Sequence, residues 1–254
     1  MPPMTQTGEL VGRTNEIAML AGRIQQIAKG RGSVVLIEGE PGIGKTTLVR
    51  AALAEAAEPI CEVFWGAGDE LGQALPLLPL LEALQIRELS GNPRRNSIVR
   101  LVRGESRDEG ADVSAVLGEQ LLALIAEQCT VRPTILVIDD LQWADQASIT
   151  LWGRLARSTT KTPLLLIGAM RPVPQRSDLM ALQRVVGSSA RLRLTGLSED
   201  AVAKLVALLA GGQPDHRVLR LAGGAAGNPL YVTELVAALA RSSRLTITAR
   251  GQPS

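Results

Sequence analysis

One stretch constrains this chain more than any other: residues 33–50, SVVLIEGEPGIGKTTLVR. An apolar run, Val34-Val35-Leu36-Ile37, leads into Gly39, Glu40, Pro41, Gly42, Ile43, Gly44, Lys45 and Thr46, with Thr47 next. That is G-x-x-x-x-G-K-T between a buried-type strand and a helix, the context in which the motif holds phosphate. Glycines permit a backbone that residues with a Cβ resist, so successive N–H groups can turn inward at a helix N-terminus that already favours anions. Lys45 then reaches the β- and γ-phosphates, and the Thr46 hydroxyl is placed to ligate Mg²⁺.

The rest of the chain must supply a sheet for this loop. Four further strands are expected over residues 60–66, 134–138, 164–167 and 191–194, the middle two as continuous apolar runs. Strands apolar on both faces and separated by helical segments mean a parallel sheet covered on both sides. Helices are expected over residues 17–27, with Thr14 or Asn15 as cap, over 45–55 and over 113–128, from their 3.6-residue apolar period. Pro76 and Pro79 argue against a central strand in the Leu-rich segment around them. Residues 90–112 are polar and charged, and read as a mobile surface insertion with one short helix near Ile98. Their arginines, from Arg94 to Arg107, are interleaved with acids and read as a solvated face.

From Ser198 the pattern changes to an all-helical segment. Helices are expected to about Leu209, over 215–222, and from Pro229 to near Ala240, separated by Gly-rich breaks. The expected organisation is a leader at 1–9, a nucleotide-binding domain at 10–196, a helical lid at 197–241 and a polar tail at 242–254.

Composition narrows the function. Aromatics are 2% of the 254 residues and the net charge is +2, which disfavours base-stacking platforms and surfaces built for a polyanion. Cys61 and Cys129 lack metal-ligand spacing and read as buried free thiols. The single histidine, His216, reads as a solvent-facing loop residue, so metal sites or triads built on histidine have little to work with. The N-terminus has no apolar signal core and no run reaches the roughly 18 apolar residues of a membrane span, which leads to the expectation of a cytoplasmic protein without membrane contact.

A second acidic motif makes hydrolysis plausible. Asp139 and Asp140 end an apolar strand, where an α/β sheet places its ligand. The first carboxylate of such a pair can hold Mg²⁺ and the second can orient and deprotonate the attacking water. Arg171, after the next apolar strand, stands where an arginine can report on the γ-phosphate.

Taken in order, Val11-Gly12-Arg13 with Glu16, GEPGIGKTT, ILVIDDLQWAD with Leu151, LLLIGAMRP and GNPLYVTEL span about residues 10–240. Together they resemble the STAND branch of the AAA+-like ATPases, in particular the ATPase module of large ATP-binding LuxR-type transcriptional regulators. The resemblance implies a P-loop NTPase three-layer sandwich with a parallel five-stranded sheet, the Arg171 strand lying between the P-loop and acidic-pair strands, then a small helical lid. It places Val11, Gly12 and Arg13 near adenine and ribose, residues 39–47 on the phosphates, Asp139 on Mg²⁺, Asp140 on the water, Arg171 on the γ-phosphate, and Asn228-Pro229 on the base. The implied function is an ATP/ADP switch with slow hydrolysis, ADP keeping the lid closed and ATP exposing a surface for a protein partner or self-assembly.

Such regulators continue into sensor and DNA-binding regions that do not fit after Ala240, so the chain reads as a module or remnant, with no direct DNA contact expected. The Leu/Pro-rich region after Gly66 also departs from relatives that carry a tyrosine there. Two other classes are a stand-alone DNA-binding regulator, for which the helical segment offers only Arg217 and Arg220 on its second helix, and a small-molecule P-loop kinase, which the acidic pair followed by Gln-Trp-Ala-Asp disfavours.

Overall fold

The computed structural model describes residues 10–56, 61–105, 112–242 and 247–248. The chain divides into two compact units, one of residues 19–38 and 52–192, the other of residues 1–18, 39–51 and 193–254. The expected leader, residue 60 at the start of the second strand, and most of the tail lie outside the described residues.

The larger unit is built on the sheet. Its strands are β1 (Ser33–Glu38), β2 (Glu62–Ala67), β3 (Thr134–Asp139), β4 (Leu164–Met170) and β5 (Arg191–Arg193), which ends at the unit boundary. The order β2-β3-β4-β1-β5 puts the Arg171 strand between the P-loop and acidic-pair strands, as expected. The sheet is parallel, with β4 in register between Val35↔Ile167 on one side and Val137↔Ile167 on the other. Every residue of β3 and β4 is buried, whereas β2 alternates and β5 is half-exposed. Continuous apolar runs therefore form the centre and the mixed ones the edges, as a sheet covered on both faces requires.

Ten α-helices are present among the described residues: α1 (Thr14–Ala28), α2 (Lys45–Ala56), α3 (Leu78–Ala83), α4 (Pro93–Val102), α5 (Val113–Val131), α6 (Gln146–Ser158), α7 (Ser177–Val186), α8 (Glu199–Ala210), α9 (His216–Gly223) and α10 (Pro229–Arg241). One core cluster joins Leu36, Leu136 and Leu166 of the central strands to Leu80 of α3, Ile98 of α4, Leu121 of α5, Trp152 of α6 and Leu182 of α7. The Pro-punctuated segment turns at Pro76 and Leu77 and then enters α3, with Pro79 in its first turn, so the proline argument against a strand holds.

Three expectations differ. The 90–112 segment is not a surface insertion throughout: α4 buries Ile98 and Val99, Asn92 caps it, and Arg94 pairs with Glu127 of α5 at 2.6 Å. Arg95 donates to the Leu84 carbonyl at 2.7 Å, so two of the arginines fasten the helix down. Residues 106–111 lie outside the described residues. His216 is exposed, but it is the first residue of α9, capped by Asp215. Cys129 is buried and Cys61 only half so, and burial pushes both thiols above their ordinary pKa.

In the second unit, α8, α9 and α10 bury Val202, Val206, Val218, Ala222, Val232 and Val236 against one another, with Val11 packed on the cluster. Ser198 caps α8 through its side chain, and Gly211 ends it in the left-handed region. A short antiparallel pair joins β6 (Gln213–Pro214) to β7 (Ile247–Thr248), which the polar tail did not foretell.

Candidate functional site

The phosphate loop belongs to the second unit, and its shape follows from its glycines. Gly42 has φ +74 and Gly44 φ +100, both in the region L side chains avoid. A Cβ at Gly44 would meet nothing within 4 Å, so the loop surrounds space at that point. The Lys45 ammonium is buried and donates to the carbonyls of Gly39 at 2.8 Å and Glu40 at 3.1 Å. The loop thereby holds its own cation at the first turn of α2, with Thr46 half-buried beside it and Thr47 exposed.

The helical segment meets this loop through Asn228. Its side-chain N–H donates to the Pro41 carbonyl at 2.9 Å, while its Oδ1 accepts from the Leu230 amide at 3.1 Å as the N-cap of α10. The Leu230 amide also donates to the Gly42 carbonyl at 3.3 Å. A Cβ at Gly42 would lie 2.6 Å from the Leu230 Cβ, so glycine is required there by contact as well as by φ. Pro229 occupies the first turn of α10, where its missing N–H costs nothing.

Arg13 is buried and committed to protein partners. Its guanidinium donates to the Thr195 carbonyl at 2.5 Å and the Ile43 carbonyl at 3.5 Å, and pairs with Glu16 at 3.2 Å. It braces the segment before α1 against the phosphate loop, with Gly12 at φ +74 and Val11 half-buried just before it.

The acidic pair belongs to the sheet unit. Asp139 is buried at the end of β3, its Oδ1 accepting from the Asp140 amide at 2.9 Å. Asp140 follows with φ 47 and ψ 45, a left-handed conformation that aspartate tolerates better than most residues. This turn aims the two carboxylates differently. The Asp140 Oδ1 accepts from the Gln142 side chain at 2.7 Å and lies 3.6 Å from the Arg171 Nε, an ionic contact too long for a hydrogen bond. The Arg171 Nε is buried without a hydrogen-bond partner, an orphaned donor at the end of the strand next to β3.

Sequence reasoning missed three supporting residues. Gln142 is fully buried and joins Asp140 to the Arg171 amide. Arg176 donates to the carbonyls of Gln142 and Ala144 and pairs with Asp178. Glu38, the last residue of β1, accepts from both Arg191 Nε at 2.8 Å and Nη2 at 2.9 Å, and from Gln183 at 2.9 Å. That bidentate pair raises the Arg191 pKa through the hydrogen bond to Glu38. A glutamine set between Leu141 and Trp143 directly after two aspartates is the one sequence signal of such support.

The groups of each unit fit a nucleotide with Mg²⁺. In the loop, the open space at Gly44 and the Lys45 cation suit phosphate oxygens. In the sheet unit, the orphaned Arg171 Nε is a donor that an anion satisfies. Each unit carries an oxygen of the kind that Mg²⁺ takes beside phosphates, the Thr46 hydroxyl in the loop's unit and the Asp139 carboxylate in the sheet unit.

The comparisons agree with this chemistry. The family model described as AAA ATPase domain matches residues 9–167. An uncharacterized protein of Rhizobium meliloti (strain 1021) is 24% identical over 268 residues, covering 90% of this chain and 25% of its own length. The chain thus spans about a quarter of that relative. Among solved structures, Cdc6p from Pyrobaculum aerophilum superposes with a TM-score of 0.61 at 14% identity, covering 95% of this chain and 65% of that one. The Aeropyrum pernix Orc1 protein, solved in complex with DNA, gives 0.60 at 17% identity, covering 96% of this chain and 63% of that one.

Proposed function

The chain belongs to the AAA ATPase domain family, and on that premise we propose that it is an ATP/ADP-binding switch with slow hydrolysis, the ATPase module of a STAND-class, LuxR-type transcriptional regulator. The observation that carries the switch reading is the double tie of α10 to the phosphate loop, Asn228 to Pro41 and Leu230 to Gly42. A loop whose carbonyls are held by a helical segment changes that segment's footing when its own shape follows the phosphates.

In this reading the N–H groups of residues 42–46 and the Lys45 ammonium hold the β- and γ-phosphates, and Val11, Gly12, Arg13, Asn228 and Pro229 border the base. Thr46 and Asp139 would hold Mg²⁺, which would supply charge neutralisation at the transferred phosphoryl group. Asp140 orients the attacking water and takes its proton, and the Arg171 guanidinium turns from Asp140 to the γ-phosphate oxygens. The proposed working bodies are residues 10–196 and a lid at 197–241, a division that groups the phosphate loop with the sheet rather than, as in the compact units, with the helical segment. ADP keeps α10 on the phosphate loop; ATP loosens it and exposes a surface for a protein partner or a second copy. Moving such a switch from mostly off to mostly on requires about 5.5 kcal/mol of differential affinity.

The test is the nucleotide content of the purified protein together with its turnover. Tightly retained ADP and turnover well below about 1 s⁻¹, the low end of ordinary enzymes, support a switch. Fast turnover without a partner would sink it, leaving an ordinary ATPase.

A further inference from the structure

The side chain of Gln142 is 0% exposed, and both ends of its amide are used. The Nε2 donates to the Asp140 Oδ1 at 2.7 Å and the Oε1 accepts from the Arg171 amide at 3.0 Å. These partners fix the amide's orientation chemically. Turned over, it would set a carbonyl oxygen against a carboxylate and an NH₂ group against an N–H. The main chain is held as firmly: the Gln142 carbonyl accepts from Arg176 at 3.1 Å, and the Trp143 amide closes the turn onto the Asp140 carbonyl at 2.9 Å.

We infer that Gln142 is the positioning residue of the hydrolytic step: its amide holds the Asp140 carboxylate by Oδ1 and locks that carboxylate to the backbone of Arg171. Three features require such a device. Asp140 has a left-handed backbone and a side chain 37% exposed, so packing alone does not set its rotamer. Both the Gln142 amide and the Arg171 Nε address Oδ1, which leaves Oδ2 as the oxygen to meet a water. A buried primary amide is costly unless both ends are paired, so its presence between Leu141 and Trp143 needs partners of this kind. Because one amide touches the base and the arginine's backbone, movement of either is felt by the other. The inference rests on the reading of Asp140 as the base and deepens it.

The experiment compares wild type, Gln142→Met, Asp140→Asn and the double variant in single-turnover hydrolysis with protein in excess, alongside ATP and ADP affinities. Methionine keeps the length and removes both hydrogen-bonding ends. Gln142→Met is expected to slow hydrolysis at least about 10-fold, a modest share of what a positioned base supplies. Its ATP and ADP affinities should stay within about 3-fold of wild type, and it should cause no added loss on top of Asp140→Asn, because residues acting as one unit are not additive. Unchanged hydrolysis, a parallel loss of affinity, or an additive loss in the double variant would each overturn the inference. A second readout does not depend on the variant folding. In the nucleotide-free wild type the Gln142 side-chain NH₂ pair should be protected from solvent exchange by NMR and should shift in Asp140→Asn; an unprotected pair overturns the inference. A wild type that binds ATP and does not hydrolyse it overturns the reading of the base itself, and that outcome is distinct because it shows before any variant is made.

Discussion

Asn228 reaches the Pro41 carbonyl with its side-chain N–H, 187 residues away along the chain, at 2.9 Å. The same side chain caps α10 through Oδ1, so one residue both starts a helix and fastens it to the phosphate loop. The two functions separate by substitution. Asn228→Asp keeps the capping oxygen and loses the donor to Pro41, whereas Asn228→Ala loses both. Asn228→Ala should cost about 1 kcal/mol of stability, the usual worth of an N-cap, and Asn228→Asp should cost much less. Both should change ADP affinity to a similar extent. Urea unfolding and calorimetric titration check the pair, and equal stability losses with unchanged affinity would remove Asn228 from the switch.

Lys45 is buried on the carbonyls of Gly39 and Glu40, and in the proposed function it exchanges them for phosphate oxygens. Lys45→Ala should weaken ATP binding at least about 10-fold, equivalent to about 1.4 kcal/mol. Equilibrium dialysis with Mg²⁺ and ATP measures it, and an unchanged affinity would be fatal to the assignment of the loop.

Asp140 and Asp139 are adjacent but differently placed, the first partly exposed on a left-handed turn and the second buried at the strand end. Asp140→Asn should therefore retain ATP binding and lose most hydrolysis, roughly 10²-fold or more for a positioned base. Single-turnover rates and ATP affinities measured on the same samples check this. If ATP affinity collapses with it, Asp140 serves the metal or the fold and the two aspartates have been assigned the wrong way round.

The helical segment also carries an acid-sensitive cap. Asp215 accepts the amides of Val218 and Arg217, and the hydrogen bond from Val218 is the main cause that lowers its pKa below the ordinary 3.8. A folded pKa below the unfolded one contributes stability that is complete above the ordinary value and lost as pH falls through the folded value. Asp215→Asn keeps a capping oxygen that does not titrate. The urea midpoint of the wild type should exceed that of Asp215→Asn at about pH 6, and the gap should narrow progressively as pH falls below 3.8. A gap independent of pH would show that the carboxylate's charge contributes nothing at that helix end.

Much of the fold was legible because the central strands are uninterrupted apolar runs. Residues 134–138 and 164–167 could be buried on both faces only in the middle of a parallel sheet, and that is where β3 and β4 lie. The strand ends were less legible, since Glu38 and Asp139 are polar residues that still pair in the ladder. Helix α4 was legible only in part: the apolar residues from Ile98 to Val102 mark a short helix, but the arginines around them read as a solvated face, and nothing in their spacing signals that Arg94 and Arg95 fasten the helix down. At the site, Gly39 to Thr46 and the aspartate pair announce themselves because their chemistry demands fixed residue types at fixed spacing. Gln142 does not, because its importance comes from a short turn and a left-handed Asp140 that bring its amide onto groups 2 and 29 positions away. The β6–β7 pair was beyond reach for a similar reason, since two-residue strands carry no periodicity.

The proposed switch requires that this loop and its helical segment hold a nucleotide and respond to its phosphates. Calorimetric titration of the nucleotide-stripped protein with ADP and with a nonhydrolysable ATP analogue, each with Mg²⁺, measures that requirement directly. Saturable binding of both, with ADP the tighter and the difference between them reduced in Asn228→Asp, is the expected result. No saturable heat with either nucleotide would contradict it.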